Sequence, residues 1–255
     1  MTLSFPYALS VWRRNASMYA RTWKLNLLPN FFEPVFYLMA IGIGVGAYIE
    51  EMGGVSYVEF LAPGLICVAA MNGASFEVTY NIYVRMSYEN VYEAMLTTPV
   101  QPVDVLAGEI LWAVTRATIY GGIFYLVVAI NGLAPMPTSL AALLVVPLTG
   151  LLFAMIGVTF TLSVPTMDFF SFYFTLFLTP LFLFSDVFFP IQERLGGGWL
   201  WVAEALPLLH PVRLSRSCFS GEFGLVSVWD LSYVLGLSAG LFVWARRAIS
   251  DRLGS

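Results

Sequence analysis

Six stretches of this chain run for about twenty residues or more with few charges, near 30–49, 60–83, 106–130, 139–164, 169–190 and 226–245. A helix rises about 1.5 Å per residue, so runs of this length match the roughly 30 Å hydrocarbon thickness of a bilayer. Helix is also the conformation such runs must take there, because hydrocarbon offers no partner to a backbone amide or carbonyl. Of 255 residues, 59% are hydrophobic and 11% charged, and six spans leave no room for a second, soluble domain. The sequence predicts an all-α polytopic membrane protein, a single transmembrane domain over 1–255 with about six transmembrane helices.

Orientation follows from the cations. Arg13, Arg14, Arg21 and Lys24 precede the first run and Arg246, Arg247 and Arg252 follow the last, whereas 50–59 and 131–138 carry none. Lys and Arg accumulate on the cytoplasmic side, so both termini of this multi-pass chain are expected inside the cell (inner) membrane. An even number of spans then places 84–105 in the cytoplasm and 191–225 outside. Arg194, Arg213 and Arg216 run against the rule, although Glu193, Glu204 and Glu222 accompany them. At 100° per residue the cations of 1–28 share one sector and Leu9, Trp12, Ala16, Tyr19 and Trp23 fill the next, which predicts an interfacial amphipathic helix lying on membrane lipid. The charges fall inside and after its apolar residues, unlike a secretory signal.

The stretch 191–225 is too polar to span, yet WLWVAEALPLL within it is too apolar for water. It reads as short re-entrant helices with Trp199 and Trp201 at headgroup depth, entered through a fifth span broken by Pro180 and Pro190. Gly42 with Gly46, and Gly236 with Gly240, have the spacing of close helix packing.

Catalytic and cofactor chemistry finds little support. His210 is the single histidine, and no cysteine pair has metal-ligand spacing, so no metal site is expected. No G-x-x-x-x-G-K-[ST] loop occurs, and Gly196–Gly198 are followed by Trp199, so the chain is not read as an ATP-hydrolysing enzyme. Cys67 and Cys218 make no disulfide framework.

Ionisable groups inside a membrane are costly and therefore candidates for function. Asn72, Glu77, Thr79 and Asn81 make the second span polar along its inner half, as a surface facing a transport path would be. Glu109 and Arg116 lie seven residues apart, about 10 Å along one face of the third span. Three readings stay open for them: Glu109 at the interface with Arg116 snorkelling towards it, a helix–helix ion pair, or the path itself. Phe172 and Phe174 in FFSFYFTLFL could line that path or face lipid. Glu33, Asp168 and Asp186 sit near expected helix ends, where interfacial solvation accounts for them.

The segment YENVYEAMLTTPVQPVDVLAG, 88–108, is a polar, proline-punctuated island between two apolar runs. Tyr88, Tyr92 and Met95 are spaced i, i+4, i+7 and predict an apolar face, with Glu89 and Glu93 as its acidic edge. The Leu96-Thr97-Thr98-Pro99 turn before the third span, and FFPIQERLGGGWLWVAEALPLLHPVRLSR at 188–216, resemble the membrane subunit of ABC exporters of the type-2 permease family, in the branch holding nodulation-factor and drug exporters. The resemblance runs from about residue 10 to 250. It implies a homodimeric half-transporter with two copies of a separate cytoplasmic ABC ATPase, ATP and magnesium being bound there and no cofactor by this chain. By position it implies docking through Tyr88, Glu89, Val91, Tyr92, Glu93 and Met95, with Thr98 and Pro99 in the turn back to the membrane. An amphiphile (lipo-oligosaccharide, glycolipid, polysaccharide or hydrophobic drug) is the expected cargo, and no nucleic acid is. The competing expectation is an ion-coupled carrier or channel working without an ATPase, using Glu77 or the Glu109 and Arg116 pair.

Overall fold

The computed structural model describes residues 3–46, 48–49, 51–190 and 199–253, with side chains described except at 25–31, 33–34, 42–43 and 199–200. Glu193, Arg194 and Gly196–Gly198, and the side chains of Glu33, Gly42 and Trp199, lie outside the described residues.

The chain is a helical bundle. The interfacial helix expected over 1–28 and most of the run at 30–49 expected as the first span form one continuous helix, α1 (Phe5–Gly44), which over its described residues is not among the helices long and apolar enough to cross a membrane. A two-residue hairpin follows, β1 (Glu51–Met52) pairing antiparallel with β2 (Val55–Ser56). Gly53 and Gly54 at its tip have φ of +62° and +78°, which glycine alone adopts at little cost. Among the described residues, five helices are long and apolar enough to cross a membrane: α2 (Tyr57–Ser87), α4 (Pro102–Ile130), α5 (Thr138–Ser163), α6 (Met167–Phe184) and α9 (Leu225–Leu253). Short helices complete the chain: α3 (Val91–Leu96) between α2 and α4, and α7 (Trp199–Glu204) and α8 (Leu209–Ser220) between α6 and α9. The helices expected within 191–225 are therefore present as α7 and α8.

Local sequence sets the helix ends. Ser56 and Glu59 cap α2 reciprocally, and Asp104 accepts the Gln101 amide at 3.0 Å at the start of α4, beside Pro102 in its first turn. Asp104 also accepts the Ser4 amide at 2.7 Å, fastening the start of the chain to the start of α4. The expected break in the fifth span is a π-helical stretch, Tyr173–Leu178, directly before Pro180. Thr179 Oγ1 donates to the Phe174 carbonyl at 3.0 Å, serving a backbone group the distortion frees. A second π-helical turn, Glu77–Asn81, interrupts α2.

α2 forms the centre, 78% of its most apolar stretch being buried against 61% for α5, 44% for α4, 22% for α6 and 17% for α9. Small residues let these backbones approach. A Cβ on Gly150 of α5 would meet Ala117 of α4 at 2.5 Å, and one on Gly108 of α4 would meet Val11 at 2.5 Å and the Ala8 carbonyl at 2.6 Å. Gly236 and Gly240 do not pack in this way within the chain, since a Cβ on either meets nothing within 4 Å. Their helix is the peripheral one.

Both termini lie at one end of the bundle. There Ser4 meets Asp104, Tyr83 donates to the Pro165 carbonyl at 2.7 Å, and Arg252 donates to the carbonyls of Thr161 at 3.1 Å and Val164 at 2.9 Å. The segment 88–101 joins α2 to α4 at this same end. At the far end Arg216 of α8 donates to the Phe60 carbonyl at 2.7 Å, pairs with Asp186 at 3.2 Å and lies 3.6 Å over the Phe60 ring.

Candidate functional site

Four ionised side chains form a buried chain across α2 and α4. Glu109 pairs with Arg85 at 2.6 Å, Arg85 with Glu77 at 2.8 Å, and Glu77 with Arg116 at 2.8 Å. Glu77 is wholly buried and Glu109 is 1% exposed, so neither acid is solvated at an interface. Two acids against two guanidinium groups make the set neutral, the condition under which charge is retained in a dry interior. Asn81 donates to Glu77 at 2.7 Å, and Asn15 of α1 donates to Glu109 at 3.0 Å, bringing a third helix into the chain. Glu109 and Arg116 do not pair with each other, as two turns of helix hold them apart. Each instead meets a partner on α2.

Arg85 and Asn15 are not among the residues the sequence singles out for this role. The signal was present in Glu77, Asn81 and Arg85, spaced i, i+4, i+8 and so on one helix face.

The chain of charges ends at a cavity. Arg116 hydrogen-bonds the Tyr120 hydroxyl and lies 5.0 Å from that ring's centroid. Tyr120 in turn lines a cavity of about 330 Å³ between α1, α2, α4 and α6, together with Tyr37, Asn72, Phe76, Phe124, Phe174 and Phe182. Phe174 stands 4.6 Å from Phe76, which stacks on Tyr80 at 5.9 Å, extending the aromatic wall towards the terminal end. Of the six path candidates on α2, α4 and α6 besides Arg116, Asn72 and Phe174 reach the cavity. Phe172 points away and is 55% exposed, as two residues along a helix amount to about 200°. Glu77, Asn81 and Glu109 belong to the ionic chain.

At its other end the chain meets α3. Tyr92 is 1% exposed and sits over Ile82, Val105, Leu106, Glu109 and Ile249. Burial, and then the Glu109 carboxylate, push its phenol well above the ordinary range and keep it a neutral hydroxyl. This corrects the expected exposed face of Tyr88, Tyr92 and Met95. Asn90 has φ of +51° and separates Tyr88 from α3, so the helical spacing does not carry across. A helix of six residues lying on the bundle must also turn its largest apolar side chain inward. Val91 and Met95 are half-buried beside Tyr92, while Tyr88, Glu89, Glu93, Thr98 and Pro99 are exposed.

A second polar cluster, absent from the sequence reading, joins α7, α8 and α9 at the far end. Asp230 accepts from His210 Nδ1 at 2.7 Å and from Arg213 Nε at 3.1 Å, and Arg213 also bonds Glu204 at 2.9 Å. His210 Nε2 reaches the Glu204 carbonyl at 3.0 Å, and its ring stacks on Tyr233 at 3.7 Å. Glu204, His210 and Asp230 alone could hold a cation. Arg213 bonds both carboxylates and takes the place one would occupy. The pairing also accounts for two of the cations on the wrong side of the positive-inside rule: Arg213 is neutralised by Glu204 and Asp230, and Arg216 by Asp186. Cys67 and Cys218 are both free thiols, Cys67 donating to the Pro211 carbonyl at 3.4 Å.

Residues 8–219 match the family model described as ABC-2 type transporter. Nodulation protein J of Rhizobium leguminosarum bv. viciae is 37% identical over 214 residues, 84% of this chain and 82% of the relative. Nodulation protein J of Bradyrhizobium diazoefficiens is 33% identical over 94% of this chain and 93% of its own length. The inner membrane transport permease YadH of Escherichia coli is 26% identical over 92% of each. With its polytopic helical bundle, the chain belongs to the ABC-2 type transporter family, as a membrane subunit.

Proposed function

We propose that this chain is the permease half of an ATP-driven exporter that moves an amphiphile out of the cytoplasm, as a homodimer carrying two copies of a separate ATPase. The observation that carries the reading is the continuous path from α3 to the cavity. An exposed ledge of Tyr88, Glu89, Glu93, Thr98 and Pro99 offers an acidic edge and one large ring to a partner. Tyr92 seats that ledge on Glu109, and the ionic chain leads through Arg85, Glu77 and Arg116 to Tyr120 at the cavity wall. Movement of the ledge would thus be felt where a cargo sits.

The aromatic cavity suits the apolar part of a cargo, with Asn72 as its polar contact. ATP and magnesium act on the partner. Exposed Phe169, Phe172, Leu176 and Phe184 on α6 supply an apolar surface for the second copy. Both termini at one end, with exposed Arg13, Arg21 and Lys24, support a cytoplasmic placement of that end in the inner membrane. Glu77 and Glu109 are each tied to arginines, so neither is a free carboxylate for an ion-coupled carrier to load.

The test is ATP-dependent uptake of candidate glycolipids into inverted vesicles holding the chain and its co-purifying ATPase. Glu93→Arg should abolish substrate-stimulated ATP hydrolysis while the chain stays folded and membrane-inserted. Full activity in that variant, or uptake driven by a proton gradient without ATPase, overturns the proposal.

A further inference from the structure

At the far end an open cleft of about 640 Å³ lies between α7 and the first turns of α9. It is lined by Trp201, Trp229, Leu225 and Val226, with Glu204 and Arg213 as its charged groups. Both indoles are unusually bare, Trp201 being 81% exposed and Trp229 57%. α9 is 29 residues long, about 43 Å, the thickness of a bilayer with its headgroups. Its first turn, and the cleft on it, therefore stand at headgroup depth.

We propose that this cleft holds the headgroup of an ammonium-bearing phospholipid. Of the two paired charges that line it, the negative one is the more open: the Glu204 carboxylate is 31% exposed and the Arg213 guanidinium 11%. Arg213 spends its donors on Glu204 and Asp230, and its hydrogen bond holds the Glu204 carboxyl below its ordinary range. Asp230 faces inward to His210 and Arg213. An ammonium needs a carboxylate and aromatic faces, and the cleft supplies one of the first and two of the second. The Glu204 carboxylate is bonded to Arg213 yet keeps part of its surface open, room for one ammonium, whereas a saccharide needs several free donors and acceptors around its rim. Below the cleft Val228, Leu231 and Leu235 continue an exposed apolar strip down α9, along which the acyl chains of the same lipid would lie. The site is separate from the aromatic cavity, and the lipid is a resident of the bilayer, not the cargo.

Native mass spectrometry of the purified full-length chain, titrated with dioleoylphosphatidylethanolamine and with dioleoylphosphatidylglycerol, tests this. The wild type should retain the ethanolamine lipid about tenfold better than the glycerol lipid, as cation–π contacts and a carboxylate together would give. W201A/W229A should lose that preference and W201F/W229F should keep part of it. W201A alone, at a site bare enough to spare the fold, should weaken it measurably. Equal retention of both lipids by the wild type, an unchanged preference in W201A/W229A, or binding of maltotriose at the expense of the ethanolamine lipid would overturn the proposal.

Discussion

Glu77→Gln is the sharpest probe of the ionic chain, because it keeps the shape of the side chain and removes only its charge. Glu77 is wholly buried and holds Arg85 and Arg116, each at 2.8 Å. In the variant Arg85 keeps Glu109, but Arg116 is left with the Tyr120 hydroxyl and two aromatic faces. An arginine orphaned in the interior costs about 3–5 kcal/mol, a large part of the 5–15 kcal/mol that typically holds a fold together. For a chain of this size that corresponds to a fall in Tm of about 6–20 °C. The assay is thermal unfolding of the purified chain in detergent, followed by tryptophan fluorescence. Glu77→Gln/Arg116→Gln restores neutrality, and should recover at least half of the loss despite removing one more native side chain. A Glu77→Gln variant within about 2 °C of wild type, or a double variant no better than the worse single one, refutes the claim that charge balance holds these helices in register.

Gly108→Ala should separate α1 from α4, since the new methyl meets the Ala8 carbonyl and Val11; a loss of about 1–3 kcal/mol is expected in the same unfolding assay. Tyr92→Ala should cost about 3–5 kcal/mol as a buried aromatic truncation, whereas Glu93→Arg, at an exposed position, should leave Tm unchanged and act on ATPase coupling alone. Asp230→Asn should loosen α8 from α9 by weakening the bonds to His210 and Arg213, read as faster proteolysis between α6 and α9 in sealed vesicles. Glu204 titrates below its ordinary range because of Arg213, so its stabilising contribution is complete above about pH 4.5 and is lost as pH falls through the depressed value. The unfolding temperature of Glu204→Gln should accordingly show less dependence on acid than that of wild type.

The architecture was legible because burial in hydrocarbon leaves a backbone few options. Run length fixed the helices, Pro180 announced a distortion, and WLWVAEALPLL announced α7. The family was legible in two motifs at opposite ends of the bundle. The roles of single residues were less so. Tyr88, Tyr92 and Met95 have helical spacing, but the left-handed backbone at Asn90 lies between them and no composition rule reveals it. Asp230 drew no notice as one acid at the start of a span, since its partners His210 and Arg213 on α8 lie 20 and 17 residues away in the chain.

By itself the sequence determined that this chain spans a membrane as helices and which of its segments carry positive charge. Those properties are local, set by run length, charge and spacing. Only the tertiary structure decided which charges meet: Arg85 with both glutamates, Arg116 with Glu77, Arg213 with Glu204 and Asp230. Pairing depends on how helices rotate and slide against one another, and small residues such as Gly108 and Gly150 set that packing through contacts distant in the chain.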